Sequence, residues 1–335
     1  MSRVGRAGWQ RCVAGALLLI CTVLPEGFAY AHPVLSSAPS DDSANTASVA
    51  AGIVLAAGAY AAGLRRVWQR SGGRGRRELV LHASAFLGGL AALALALLSP
   101  LDHWAAELFA IHMVQHEILM LIAAPLLVVG RPLPLFLWAF AKRSRASVAE
   151  IVHARPVQAA WTVLLSPLFA WLLHALVLWL WHAPALFDAA LRNETVHEVQ
   201  HLSFLVSALV FWAAMIESRK QEQQGAAMLY LFTTTIHTSV LGALITFART
   251  PWYAPYLQTP RDWGVTALED QQVGGLIMWV PGSLVYIGVA MAVFVRWIRA
   301  SDAHAHHRYP TAANVDAEAK ALAEPRDPDC HSSAG

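Results

Sequence analysis

Two histidines four residues apart, His112 and His116, open a long apolar run that ends at Val129, before Gly130-Arg131-Pro132. That spacing puts both imidazoles on one face of a helix, with Cβ atoms about 6 Å apart. The pattern recurs at His197 and His201, and His182 falls between the two pairs in Trp181-His182-Ala183-Pro184. Imidazoles grouped in this way are metal ligands by type, suited to copper, zinc and iron alike. His174 and His237 join them as further candidates, although a single histidine in an apolar helix is more often a hydrogen-bonded packing residue. Glu117 is a candidate ligand, orienter of an imidazole or proton carrier, and Asp270 in Asp270-Gln271-Gln272 adds a carboxylate at the same rim. Met113, Met120 and Met278 are soft thioether donors for Cu(I), but methionine is also a common gap filler.

Cysteine is informative by its placement. Cys12 and Cys21 fall in the leader and Cys330 in the tail, so a thiolate metal site or internal disulfide framework is excluded from the apolar region. Three chemistries stay open for the histidines. The first is exchangeable binding of copper. The second is axial ligation of a b-type haem, which needs one histidine from each of two helices, since an i, i+4 pair on one helix cannot clamp a haem from both sides. The third is an intramembrane zinc hydrolase, in which Asp188, Glu117 or Asp270 assists a metal-activated water.

The elements that must position these residues are membrane helices. Hydrophobic residues make up 56% of the chain and charged residues only 14%, which is the composition of a membrane protein. Formal net charge is +2, giving no sign of a nucleic-acid partner. Apolar runs of the ~20 residues that a bilayer needs recur at Ala47–Leu64, Leu79–Leu101, Trp104–Val129, Val157–Trp181, Val196–Ile216, Ala226–Phe247 and Val273–Val295. An all-α protein of seven transmembrane helices follows. Arginine and lysine gather in the loops after the first, third, fifth and seventh runs, from Arg65 to Arg77, Arg131 to Arg155, Arg219-Lys220 and Arg296 to Arg299. By the positive-inside rule the N-terminus lies outside and the C-terminus inside. His112, His116, His182, His197 and His201 then fall in the outer half of the bilayer, with His112 and His116 two to three turns below the outer end of the third span. His82 is the histidine of the inner half.

Residues 1–31 read as a cleavable signal peptide, with Arg3, Arg6 and Arg11 ahead of a short apolar stretch and Ala29-Tyr30-Ala31 as the cleavage site. Cleavage leaves His32 as an N-terminal amine and imidazole, a further candidate copper donor. Residues 32–46 read as a periplasmic linker, 47–299 as the membrane domain and 300–335 as a disordered cytoplasmic tail. Pro132 to Trp138 is too short to cross and is expected along the inner interface or at the start of a cytoplasmic helix. Pro125, Pro167 and Pro281 fall inside spans as possible kinks. Trp161, Trp171, Trp179, Trp181, Trp252 and Trp263 include candidates for an interfacial aromatic belt.

Four stretches in order resemble one family. They are His112-Met-Val-Gln-His116 with the following Ala-Pro-Leu-Leu-Val-Val-Gly-Arg-Pro; Trp181-His182-Ala-Pro with Phe187-Asp188-Ala-Ala-Leu191; His197-Glu-Val-Gln-His201 with Phe204; and Asp270-Gln271-Gln272 with Gly274-Gly275-Leu-Ile-Met-Trp279-Val-Pro281-Gly282. The chain from about Trp104 to Gly282 is thereby similar to the seven-helix CtaG family of cytochrome c oxidase assembly factors, the type linked to caa-type oxidases. The resemblance implies a non-enzymatic protein of the bacterial inner membrane that serves haem-copper oxidase subunits, with copper delivery as the expected role. Gln200 stands where the resemblance leads one to expect glutamate beside the second histidine of its pair.

Overall fold

The computed structural model describes residues 41–73, 75–140, 142–216 and 221–308. Among them the regular structure is helical: α1 (Asp41–Arg70), α2 (Arg76–Leu98), α3 (Pro100–Glu107), α4 (Phe109–Glu117), α5 (Ala124–Val129), α6 (Pro132–Ala139), α7 (Lys142–His153), α8 (Arg155–Leu164), α9 (Pro167–Trp181), α10 (Pro184–Arg192), α11 (Glu194–Ile216), α12 (Gln221–Thr246) and α13 (Ala267–Arg308). Six helical stretches are long and apolar enough to cross a membrane, and the bent pair α8–α9 makes a seventh when counted as one span. The all-helical, multi-span architecture expected from the composition is therefore the one observed. Leu55, Leu81, Leu176, Phe232, Phe247 and Leu284 remain exposed on the outside of the bundle, as apolar side chains facing lipid do.

Several boundaries differ from the sequence reading. The linker expected to run to residue 46 is helical over its described residues, which belong to α1. The tail expected from residue 300 continues α13 to Arg308, because Arg296 to Arg308 contains neither glycine nor proline to stop the helix. The fourth span bends by 65° between α8 and α9, where Pro167 cannot donate to the preceding turn. The signal peptide, His32 and the tail beyond residue 308 lie outside the described residues. Pro132 to Trp138 forms α6, whose C-terminal carbonyls at Trp138, Ala139 and Phe140 accept from Arg66 on α1 at 2.7, 2.9 and 2.9 Å.

The third span carries the largest departure. The sequence predicts an unbroken run from Trp104, but Leu108 is extended (φ −125°, ψ 122°) and α4 begins only at Phe109. His112 and His116 therefore sit within the first two turns of their helix. The new helix start is capped from across the bundle: Asp270, near the start of α13, accepts from Phe109 N–H at 2.7 Å and from Ala110 N–H at 3.0 Å. Helix starts leave four N–H groups unpaired, and a carboxylate is the strongest acceptor for them. Below His116 the helix widens into a π turn at Ile118–Ala123, with Ala124 N–H reaching Leu119 O. Pro125 offers no N–H and crowds the carbonyl four residues back, which the widened turn accommodates. Trp212 on α11 donates its indole N–H to the Met120 carbonyl within that turn at 2.8 Å.

α12 and α13 pack along glycines. A Cβ on Gly242 would lie 2.9 Å from Gly275 O, and one on Gly275 would meet Thr246 Oγ1 and lie 2.7 Å from Gly242 O. Close backbone approach through small residues is how membrane helices gain contact where lipid already solvates their apolar side chains.

Two outcomes follow for thermal unfolding in detergent. Asp270→Ala leaves two buried N–H donors unpaired and lowers stability by about 3 kcal/mol, with Asp270→Asn, which keeps one acceptor oxygen, intermediate. Gly275→Leu forces α12 and α13 apart and costs about 1–3 kcal/mol.

Candidate metal centre

The two histidine pairs face each other at the end of the bundle where α4 and α11 begin. On α4 the His112 and His116 rings are 4.4 Å apart, and on α11 the His197 and His201 rings are 4.2 Å apart. Across the interface His112 lies 5.2 Å from His197 and 5.8 Å from His201, and His116 lies 5.2 Å from His201. Ligand atoms of His112, His197 and His201 all lie within 4.8 Å of one another. His182, the residue that ends α9, brings its ring to 6.3 Å from His116. His112, His116, His182 and His201 are buried, and His197 is half-buried.

The hydrogen bonds assign the protons on these rings. Tyr256 donates its hydroxyl to Ala105 O at 2.6 Å, so it meets His112 Nδ1 at 2.9 Å as an acceptor. His112 thus carries its proton on Nδ1 and turns the Nε2 lone pair toward His116 Nε2, 2.9 Å away, which donates to it. His182 donates from Nδ1 to Leu178 O at 2.7 Å, which leaves its Nε2 as a lone pair. Burial, then the Asp270 carboxylate, pushes the Tyr256 phenol well above its ordinary value, so it stays a neutral hydroxyl.

What remains is a set of buried ring nitrogens with no hydrogen-bond partner among the described residues: His116 Nδ1, His182 Nε2, His197 Nε2 and His201 Nε2. Buried polar atoms are almost always paired, and a cluster of unpaired ones calls for a partner such as an ion or ordered water. Neutral imidazoles held in place by carbonyl or hydroxyl acceptors on the far nitrogen are what metal sites use to orient their ligands. The donors fit a borderline or soft metal ion.

Aromatic residues wall the cluster. Phe187 on α10 lies 5.2 Å from His112, and Phe204 on α11 lies 4.6 Å from His116, ring to ring. The segment between α12 and α13 covers it. Tyr253 donates to His182 O at 3.1 Å, Thr259 to Glu107 O at 2.7 Å and Trp263 to Glu107 Oε2 at 2.7 Å. Gln271 accepts from Trp252 N–H at 2.6 Å. Tyr253 and Tyr256 escape a reading of the sequence; their signal is two tyrosines in the aromatic-rich loop that returns to Asp270.

The remaining candidates are placed elsewhere. Asp270 is committed to the α4 cap. Asp188 pairs through Oδ2 with Arg192 at 3.6 Å, while its Oδ1 is buried without a partner among the described residues. Met113 is fully buried, and its Cγ lies 3.2 Å from where a Cβ on Gly274 would sit; it packs α4 onto α13. Glu117 turns to α13, where its Oε2 lies 3.3 Å from the Cβ position of Gly282. His174 is held between Ser207 Oγ at 3.2 Å and Tyr286 OH at 3.3 Å, and His237 accepts from Trp179 at 3.4 Å. These last two belong to a second polar cluster, in which His237 Nε2 is also buried without a partner among the described residues. Gln200, beside His201, is buried with both side-chain polar atoms unpartnered.

Comparison with known proteins agrees with this architecture. The family described as cytochrome c oxidase caa3 assembly factor matches residues 58–300. Uncharacterized proteins of Mycobacterium bovis and Mycobacterium tuberculosis are each 29% identical over 261 residues, and one of Mycobacterium leprae is 26% identical over 271. These alignments cover 75% of this chain but only 38% of each relative, so the chain corresponds to about two fifths of those longer proteins. No solved structure matches. Spanning both histidine pairs, the Asp270 cap and the helices that carry them, the match makes this chain a member of the cytochrome c oxidase caa3 assembly factor family.

Proposed function

We propose that this assembly factor carries copper as cargo, bound by His112, His116, His197 and His201 with His182 beside them, and passes it to a subunit of the oxidase. The observation that carries the proposal is the grouping of His112, His197 and His201 ligand atoms within 4.8 Å, beside buried imidazole nitrogens without partners, among described residues that include no cysteine. Imidazole binds copper well, while thiolate would hold Cu(I) more tightly; an all-imidazole site is suited to release. With the orientation given by the positive-inside rule, this end of the bundle faces the periplasm.

The alternatives have less support. In the zinc hydrolase reading a carboxylate must work beside the metal, yet Asp270 caps α4, Glu117 faces α13 and Asp188 is paired through Oδ2 with Arg192. In the haem reading two histidines must face each other across a slot wide enough for a porphyrin; here the rings pack on one another and on Phe187 and Phe204.

Metal analysis and an absorption spectrum of the purified protein test this directly. Stoichiometric copper without a haem band is expected in the wild type, and its loss in the His112→Ala/His116→Ala double variant. Zinc alone, or a haem band, would replace the copper reading with the corresponding alternative. Tyr256→Phe removes the acceptor that orients His112 and should weaken copper affinity about 10–100-fold, read by competition with a chromophoric Cu(I) chelator.

A further inference from the structure

The five histidines are not equally reachable. Four are buried, whereas His197 is half-buried, at the edge of the cluster. Its Nε2 has no partner, whereas the lone pair of His112 is closed off by the hydrogen bond from His116. His197 is therefore the imidazole of the five with exposed surface, and its Nε2, itself buried, has no hydrogen bond to give up when an ion arrives.

The rim of the site carries a fixed charge. Asp102 is exposed on α3. Its Oδ1 accepts from Gln115 at 2.6 Å, and the same Gln115 amide donates to Ala96 O at 2.9 Å. Gln115 is itself fully buried on α4, between the two ligand histidines in sequence. A buried amide thus holds an exposed carboxylate at the rim of the site. Carboxylates at a mouth with apolar walls raise the local concentration of cations and their rate of arrival.

We infer that His197 is the exchange ligand of the site, through which a copper ion enters and leaves, and that Asp102, positioned by Gln115, draws the ion to it. The inference rests on the copper reading above. The ion lands on His197 and moves to His201 and His112, displacing the His116 N–H from His112 as it does so. Release runs the same way in reverse, so the acceptor must present its own ligand on the His197 side. His182, at the far side of His116, retains the ion without taking part in exchange.

Stopped-flow transfer of Cu(I) to and from bicinchoninate, using the full chain in detergent, tests the assignment. His197→Ala should slow both directions at least tenfold while the protein still binds one ion per chain. Asp102→Asn should slow uptake several-fold and remove its dependence on ionic strength. His182→Ala should leave the uptake rate unchanged and weaken retention. Wild-type rates in His197→Ala, or a larger rate loss in His182→Ala than in His197→Ala, would overturn the route while leaving the copper site intact. Loss of the bound ion in His197→Ala would make His197 a holding ligand and overturn its exchange role. If His197→Ala does not fold, the salt dependence of Asp102→Asn decides, since an unchanged dependence removes the proposed attraction. A wild-type protein that takes up no Cu(I) would instead remove the copper reading itself.

Discussion

A single carboxylate sets the geometry on which the site depends. Asp270 closes the first N–H groups of α4 and in doing so ties the last long helix to the one that carries His112 and His116. In a membrane interior a helix start without acceptors is costly, because no water replaces the missing hydrogen bonds. The cap allows α4 to begin at Phe109, after the chain has turned through Leu108, rather than at the end of an uninterrupted span. That turn frees α3 to lie at the rim, where Ala105 accepts from Tyr256 and Asp102 accepts from Gln115. One interaction between residues about 160 apart in sequence therefore positions the histidine pair and the tyrosine beside it.

The polar groups of the bundle divide into two kinds. Most are satisfied within the protein: His174 by Ser207 and Tyr286, Trp212 by the Met120 carbonyl, Thr246 by Gly242. Around His116, His182, His197 and His201 the accounting leaves buried ring nitrogens without partners among the described residues. The opposite ring nitrogen of His182 is fixed by the Leu178 carbonyl, and Nδ1 of the neighbouring His112 by Tyr256. Glu117 is a separate case. It is buried one residue from His116, yet it points to α13 and has an unpartnered oxygen, so sequence adjacency to a ligand does not make it part of the site.

Much of this architecture is legible in the amino-acid sequence alone. The apolar runs dictate the helical class and the number of spans, because a bilayer demands about 20 apolar residues per crossing. The i, i+4 spacing of the two pairs puts each on one helix face and their depth is shared, but whether they meet depends on how the helices pack. Boundaries are less legible. The apolar stretch from Trp104 to Val129 contains no break signal at Leu108, since the acceptor that permits the break belongs to α13.

What the sequence by itself determined was the membrane fold, the family and the identity of the imidazoles, all of which follow from local pattern: run length, helical spacing and short motifs. What only the tertiary structure decided was which polar residues meet one another. Asp188, Asp270, Glu117, His174 and His237 are equivalent to the others as residue types, and Tyr253 and Tyr256 read as loop aromatics. Their roles depend on what faces them across helix interfaces. Hydrogen-bond partners brought together from distant parts of the chain leave no periodic trace along it.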